Sequence, residues 1–568
     1  MIIKALTIEN FKGIREPVRI EFKPITLLFG QNSAGKSTVL QALHYARELL
    51  ERQNADADLT LQGGEFVDLG GFENLVHGYD RNQPVRLRFD LDLTKDDLPE
   101  YHFGNRSGKI HSERERQLQE WNLSSRVSSA WVSLTVIWSD WRARSFISQY
   151  EVGINGEHFA RISAAVDTRR VWISALNFNH PLFISNDDPQ HRNEDEPPSS
   201  QLELLFEIVT NVKQSTITYP TESAMRGNVE VELDQDVAVP AWGGALNISE
   251  SCLQDLSIHG DDSDVVYDEF TFYINQLIVG PGELLREELK KFRYLGPIRE
   301  IPPRNYQELR SPDASRWASG LAAWDILYAS DDNFISRVSY WMDTKLKTGY
   351  SVEMRRYKEL KTSSLLYHQL ISNDLLDSEE DIRSEILRLP EKRRLVLYDK
   401  ARDQDLLPQD IGIGISQVLP VVVSALAGTG LLVAIEQPEL HIHPRLQTEI
   451  GELILRASLD DPENIFLIET HSEHLLLRIM KKMRQFSSIM QSYGEEIVDA
   501  TYDDASYAED SFYSEDHIYA VNPDHVGVWF IEQCDSKTVV REMPLNKQGE
   551  LVKAWPDGFF EEGLREVF

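Results

Sequence analysis

The sequence predicts an α/β protein: a mixed sheet with flanking helices, split by a large α+β insertion and followed by a small C-terminal α/β extension. Three observations predict it. Ile25 to Phe29 is a continuous apolar run, the pattern of a strand covered on both faces, and it passes through a glycine-bearing loop into a helical stretch, Lys36 to Leu50. Two further runs of this kind, Leu431 to Ile435 and Glu463 to Ile468, end on Glu436 and on Glu469-Thr470-His471-Ser472. Finally, 400 residues separate Lys36 from Glu436, and their texture differs, so one folding unit interrupts another.

Composition narrows the class. A chain of 568 residues exceeds one ordinary core, so two or three modules are expected. Lys and Arg number 58 against 92 Asp and Glu, a net charge of −34 that favours solubility and opposes a general DNA-coating surface, leaving a local basic groove open. Cys252 and Cys534 form no metal-spaced pair and no disulfide framework, which suits a reducing cytoplasm. The N-terminal MIIKALTIENFKGIREP is too broken by charge for a signal peptide, and no apolar run approaches membrane-spanning length. The expectation is a soluble, cytoplasmic protein with no membrane partner.

In chain order, residues 2–8 and 17–23 read as strands, and Val85 to Leu93 as a strand of the same sheet or its antiparallel edge, so residues 1–94 are the first half of the split domain. Residues 95–290 are the insertion, an arm or recognition region. It holds antiparallel strands at Val132 to Trp138, Phe146 to Ile154 and His158 to Ile162, then an acidic proline-bearing linker at 185–200. Helices follow at 201–213 and 265–292, the second interrupted at Gly280-Pro281-Gly282. Residues 291–480 resume the split domain, helical to about 346 after YLGPIREIPPRNY at 294–306, with strands near 350–357 and 394–400. Residues 481–568 comprise a polar acidic loop at 485–516 and a last module with strands at 526–531 and 538–542, closing on AWPDGFFEE.

Three motifs carry chemistry. GQNSAGKS, residues 30–37, fits G-x-x-x-x-G-K-[ST] between a strand and a helix, the setting a phosphate-binding loop requires. Gly30, Gln31, Asn32, Ser33, Ala34, Gly35, Lys36, Ser37 and Thr38 are the candidate nucleotide contacts. Backbone N–H groups cradle the phosphates, Lys36 adds a point charge, and the Ser37 hydroxyl ligates Mg²⁺. Glu436, at a strand end, is the candidate second metal ligand, acting through water. In Gly412-Ile413-Gly414-Ile415-Ser416-Gln417, glycines allow close backbone approach and Ser416 is the expected N-cap of an apolar helix. His441, His443, His471 and His474 lack the further ligands of a zinc site.

The order of these motifs resembles ABC-type AAA ATPases, and more narrowly the branch of RecF, the chromosome-maintenance (SMC) proteins and the overcoming-lysogenization-defect (OLD) ATPases. ENFKGI at 9–14 and WPDGFF at 555–560 resemble bacterial stand-alone members of that branch. The resemblance implies an ABC-type P-loop ATPase head with ATP and Mg²⁺ as cofactors. It implies that Gly414, Ser416 and Gln417 are signature contacts serving the nucleotide of a second copy, so that heads close as an ATP-sandwiched homodimer, and that His471 senses the γ-phosphate. In the family a second carboxylate usually follows the first; here that position is Gln437, an amide that holds water but takes no proton, so slow hydrolysis is expected, with Glu439 or His471 as candidate substitutes. OLD enzymes carry a Toprim nuclease domain after the ATPase, for which the last 50 residues here lack the acidic constellation, so a separate effector or nuclease partner, as in anti-phage defence, is the first expectation. A RecF-like repair ATPase acting directly on DNA, and a nucleotide-clamped scaffold with little hydrolysis, are the competing ones. Basic stretches at 286–293, 388–402 and 481–484 are either solvated faces or phosphate contacts, and Arg299 and Arg304 either cross-dimer contacts or structural pairs.

Overall fold

The computed structural model describes residues 3–101, 126–184, 200–202, 205, 231–248, 270–304, 306, 313–372, 379–493, 520–534 and 537–560. Residues 185–199 of the linker, most of the helix expected at 201–213, Cys252 and residues 494–516 of the acidic loop lie outside the described residues. Residues 485–493, expected in that loop, instead continue the helix Glu473–Tyr493, whose apolar positions recur at helical spacing. In the first part of the chain the strands are β1 Ile3–Glu9, β2 Val18–Glu21, β3 Ile25–Gly30, β4 Leu59–Thr60, β5 Gly64–Asp68, β6 Val85–Asp92, β7 Ser129–Ser139, β8 Arg144–Ile154, β9 Glu157–Ala164, β10 Val171–Leu176 and β11 Val231–Leu233. The second part adds β12 Phe292–Leu295, β13 Tyr350–Lys358, β14 Glu391–Asp399, β15 Gln404–Leu406, β16 Leu432–Glu436, β17 Ile465–Glu469, β18 Val526–Cys534 and β19 Lys537–Glu542.

Six of these strands form the central sheet, in the order β12-β16-β17-β3-β18-β19. All neighbours run parallel except the last pair, which is antiparallel. A parallel strand buried on both faces is nearly all apolar, and ITLLFG of β3 is buried at every position, its one polar side chain, Thr26, satisfied by donating to Lys23 O at 3.2 Å. The pleat then deals alternate side chains to two cores. Ile25, Leu27 and Phe29 join Val433, Ile435, Phe466 and Ile468 on the face covered by the helices Ile413–Leu426, Pro444–Asp460 and Glu473–Tyr493. Leu28, Leu432, Ala434 and Leu467 face the other core with the helix Lys36–Arg52. Fully burying each such side chain is worth about 1.5–3 kcal/mol.

The second sheet has eight strands in the order β11-β10-β9-β8-β7-β6-β1-β2, antiparallel throughout. The inserted strands β7 to β11 therefore extend the N-terminal sheet through β6 instead of forming a sheet of their own. Residues 270–290 stay helical where an interruption was expected: Asn275–Val279 winds as a π-helix, closed by the Gly280 N–H donating to Asn275 O, and Pro281, which has no N–H to donate, follows at its junction with the helix Gly280–Lys290. The expected strands near 350–357 and 394–400 are β13 and β14, paired with β15 in a three-stranded arm, and two short helices between them, Leu365–Ser372 and Glu379–Arg388, were not anticipated. The C-terminal strands also depart from expectation: β18 and β19 complete the central sheet beside β3 rather than standing apart. Trp555, Phe559 and Phe560 then pack edge-on against Phe29 of β3 and Phe530 of β18, with ring centroids 5.1–5.9 Å apart. Among the described residues, no helix is long and apolar enough to cross a membrane.

Candidate functional site

The C-terminal ends of β3, β16 and β17 meet at one edge of the central sheet, where α/β folds place ligands. The loop after β3 turns through Ser33 at φ 62° and Gly35 at φ 102°, and Gly35 caps the helix Lys36–Arg52. Gln31, Asn32 and Ser33 are exposed along the loop, whereas Ala34, Lys36 and Thr38 are buried. Lys36 Nζ donates to Gly30 O at 3.1 Å and Gln31 O at 2.8 Å, so its ammonium lies under the loop. Burial pushes that ammonium down, while Glu469, Glu439 and Glu436 pull it back up.

The Ser37 hydroxyl donates to Glu469 Oε2 at 2.8 Å. Glu436, the expected partner in metal binding, is instead held by the Tyr294 hydroxyl from β12, 3.0 Å from Oε1. Glu469 was not among the expected site residues. A signal for it existed: LVAIE and IFLIE end on the same pattern, and the parallel register sets Glu436 directly beside Glu469. Burial, then the neighbouring Glu469 charge, raises the Glu436 carboxyl, and burial raises Glu469 despite Ser37 and Lys36. A dication would relieve that concentration of buried negative charge. No three His, Cys, Asp or Glu side chains among the described residues are placed to hold a metal alone. The oxygen donors of one hydroxyl and two carboxylates, Ser37, Glu436 and Glu469, fit Mg²⁺, which takes few protein ligands and completes its shell with phosphate oxygens and water.

Beyond Glu436 the chain turns sharply. Gln437 sits at φ 45° and His441 at φ 61°. Gln437 N–H donates to Glu469 O at 2.7 Å, and Arg299 Nη2 donates to Glu436 O at 2.7 Å and Gln437 O at 3.4 Å. Glu439 has both oxygens engaged, by the Thr470 hydroxyl at 2.8 Å and His471 N–H at 2.6 Å, so it clasps the turn after β17. Burial and the Lys36 charge push His471 down to about 4, so its ring is neutral at pH 7, and its buried Nε2 has no protein partner.

The Gly412 to Gln417 segment differs from expectation in its cap. Gly412, extended at φ −64° and ψ 146°, is the N-cap of the helix Ile413–Leu426. Ser416 lies within that helix, fully buried, its hydroxyl donating to Ile413 O at 2.8 Å. Gln417 is buried as well, exchanging two hydrogen bonds with the Arg299 backbone at 3.1 and 2.7 Å. The exposed tip is Gly412 and Ile413, and the first N–H groups of the helix lack a carbonyl one turn earlier. Gly414 lies just behind, where a Cβ would come 3.1 Å from His441 O. Arg299, only 2% exposed, ties this helix to the Glu436 turn from inside, and Arg304, with an exposed side chain, pairs with Asp410.

Residues 1–107 match the family described as AAA ATPase domain, and residues 283–478 match AAA domain, putative AbiEii toxin, Type IV TA system. Residues 521–568 match Protein of unknown function (DUF3696). Over 104 residues the chain is 33% identical to the DNA replication and repair protein RecF of Chlorobium phaeobacteroides (strain BS1). That stretch is 17% of this chain and spans 29% of the relative's length. Among solved structures, the Smc head bound to the C-winged helix domain of ScpA aligns at TM-score 0.34 and 10% identity, over 96% of this chain and 98% of that one. The SMC head domain from Thermotoga maritima aligns at TM-score 0.32 and 8% identity, over 96% and 100%. At scores this low the fold rests on the sheet order itself. The first ATPase-domain match carries β3 and its loop, and the second carries β12, β16 and β17, whereas β18 and β19 fall in the third match. With the geometry at the sheet edge and the RecF-like stretch, the two ATPase-domain matches support an ATPase.

Proposed function

We propose that this chain is an ATP-binding, slowly hydrolysing ATPase head that closes on a second copy and gates a partner's activity. The observation that carries it is the meeting of Lys36, Ser37, Glu436 and Glu469 at one edge, from segments 400 residues apart in sequence. The loop's N–H groups and the helix behind it bind phosphates, and Lys36 moves from the loop carbonyls to the anion. Ser37, Glu469 and Glu436 would hold magnesium, which when bound neutralises charge on the phosphate oxygens. Tyr294 fixes Glu436, and Gln437 orients the attacking water without accepting its proton. The neutral His471 donates its unused ring nitrogen to the γ-phosphate.

In the dimer, the helix tip at Gly412, Ile413 and Gly414 meets the partner copy's nucleotide. Ser416 and Gln417 support it from within. The likeness to OLD ATPases supports a separate effector, and an anti-phage role accords with a matched family whose description names a toxin of a toxin–antitoxin system. The RecF-like stretch favours a second reading, direct action on DNA. Solution mass with magnesium and ATP tests the dimer: a doubling is expected, lost in Ile413→Glu, whose side chain is 57% exposed. A single-copy mass with ATP bound refutes it. ATPase stimulation by DNA ends would move the balance to the second reading.

A further inference from the structure

We propose that Thr538, on the C-terminal strand β19, is a positioning residue of the phosphate-binding loop, and that β18 and β19 form that loop's outer wall. The inference rests on the phosphate-binding reading of residues 30–37 and assigns a role within it to a segment whose family has none stated.

β18 runs parallel to β3 along its length, from Val526 beside Ile25 to Ile531 beside Gly30. A Cβ on Gly30 would stand 1.9 Å from Ile531 O, so the loop starts in direct backbone contact with β18. Thr538 is buried, and its hydroxyl donates to Ala34 O at 3.1 Å while its N–H donates to Gly13 O at 3.0 Å. A Cβ on Gly35 would meet Thr538 Oγ1 at 2.9 Å and Cγ2 at 3.2 Å, and one on Gly13 would meet Oγ1 at 2.4 Å. One side chain is thus wedged between the ENFKGI turn and the loop, and glycine at both positions makes room for it.

The consequence follows from peptide geometry. In a trans peptide the C=O and the next N–H point in opposite directions. Holding Ala34 C=O outward against Thr538 turns the Gly35 N–H inward, toward the concave side of the loop. Gly35 is the N-cap of the helix Lys36–Arg52, at φ 102°, so this N–H stands at the positive end of that helix. Thr538 therefore sets the direction of a phosphate-facing donor without touching the ligand.

The test measures affinity of the full chain for a fluorescent ATP analogue with magnesium, beside the thermal unfolding midpoint without nucleotide. Wild type should bind and Lys36→Ala should not. Thr538→Val keeps the shape and loses the hydroxyl; binding about three- to tenfold weaker is expected, the worth of one hydrogen bond. Thr538→Ser restores the hydroxyl and should bind within about twofold of wild type. Hydrogen exchange at the Gly35 amide should accelerate in the Val variant alone. A Val variant that binds as tightly as wild type overturns the inference, as does a loss that Ser leaves unrestored or that follows the unfolding midpoint across variants. If wild type itself binds no nucleotide, the phosphate-binding reading falls and takes this inference with it.

Discussion

Replacing Gln437 by Glu puts a carboxylate where the chain carries an amide, at constant size. The backbone there is pinned from two sides, by Glu469 O at 2.7 Å and by Arg299 at 3.4 Å, so φ 45° should survive the exchange. A well-placed general base contributes about 10²–10⁴-fold to a proton-transfer step. Three carboxylates already lie close enough to act on Lys36, and a fourth like charge would raise the new group and weaken its drive to ionise. The lower end applies, about 10²-fold in single-turnover hydrolysis, which is about 2.7 kcal/mol of barrier. The assay is rapid quench with enzyme in excess over ATP and magnesium, from about pH 6 to about pH 9. The ratio of variant to wild-type rate should climb with pH until the new carboxyl has lost its proton, the titration of Glu436 and Glu469 being common to both. A variant within about threefold of wild type across that range would refute the reasoning, because Gln437 would then not limit the step.

Other expectations follow from the same geometry. Burial and repulsion raise the Glu436 and Glu469 carboxyls, so the folded chain keeps protons that the unfolded chain releases in the ordinary carboxylate range. Stability should therefore fall as pH rises from that range through the raised values, and the unfolding midpoint without nucleotide should drop less steeply in Glu469→Gln; parallel drops would count against the pair. Arg299→Met keeps most of the volume but strips the Glu436 and Gln437 carbonyls of their donor, at a cost of about 2–4 kcal/mol read as a lowered unfolding midpoint. Trp555→Ala opens the aromatic cluster under β3 and, because the ring is partly exposed, should cost about 2 kcal/mol in the same measurement.

The strands around the nucleotide edge were legible because a strand buried on both faces leaves a continuous apolar run, and β3, β16 and β17 all carry one. The loop was legible because its glycines and Lys36 are fixed by local geometry. What sequence reading missed was set by pairing between distant segments. Glu469 ends its strand just as Glu436 does, yet only the register of β17 between β16 and β3 brings it to Ser37. Ser416 matched an N-cap preference, but an extended Gly412 starts the helix one turn earlier and turns the hydroxyl inward. Thr538 carries no motif at all, and its place depends on β19 folding back beside the loop.

The position of β3 also has a bearing on synthesis. Its neighbours in the sheet, β17 and β18, begin at Ile465 and Val526, whereas β3 ends at Gly30. At about 5–20 residues per second, a ribosome needs roughly 20–90 s to travel from β3 to the first of them. For that interval Ile25, Leu27, Leu28 and Phe29 and an unpaired strand edge have no native partner, a standing invitation to aggregation or chaperone capture. Nucleotide binding then arrives only once β18 and β19 have been made, so chains cut short before β19 should be silent toward ATP.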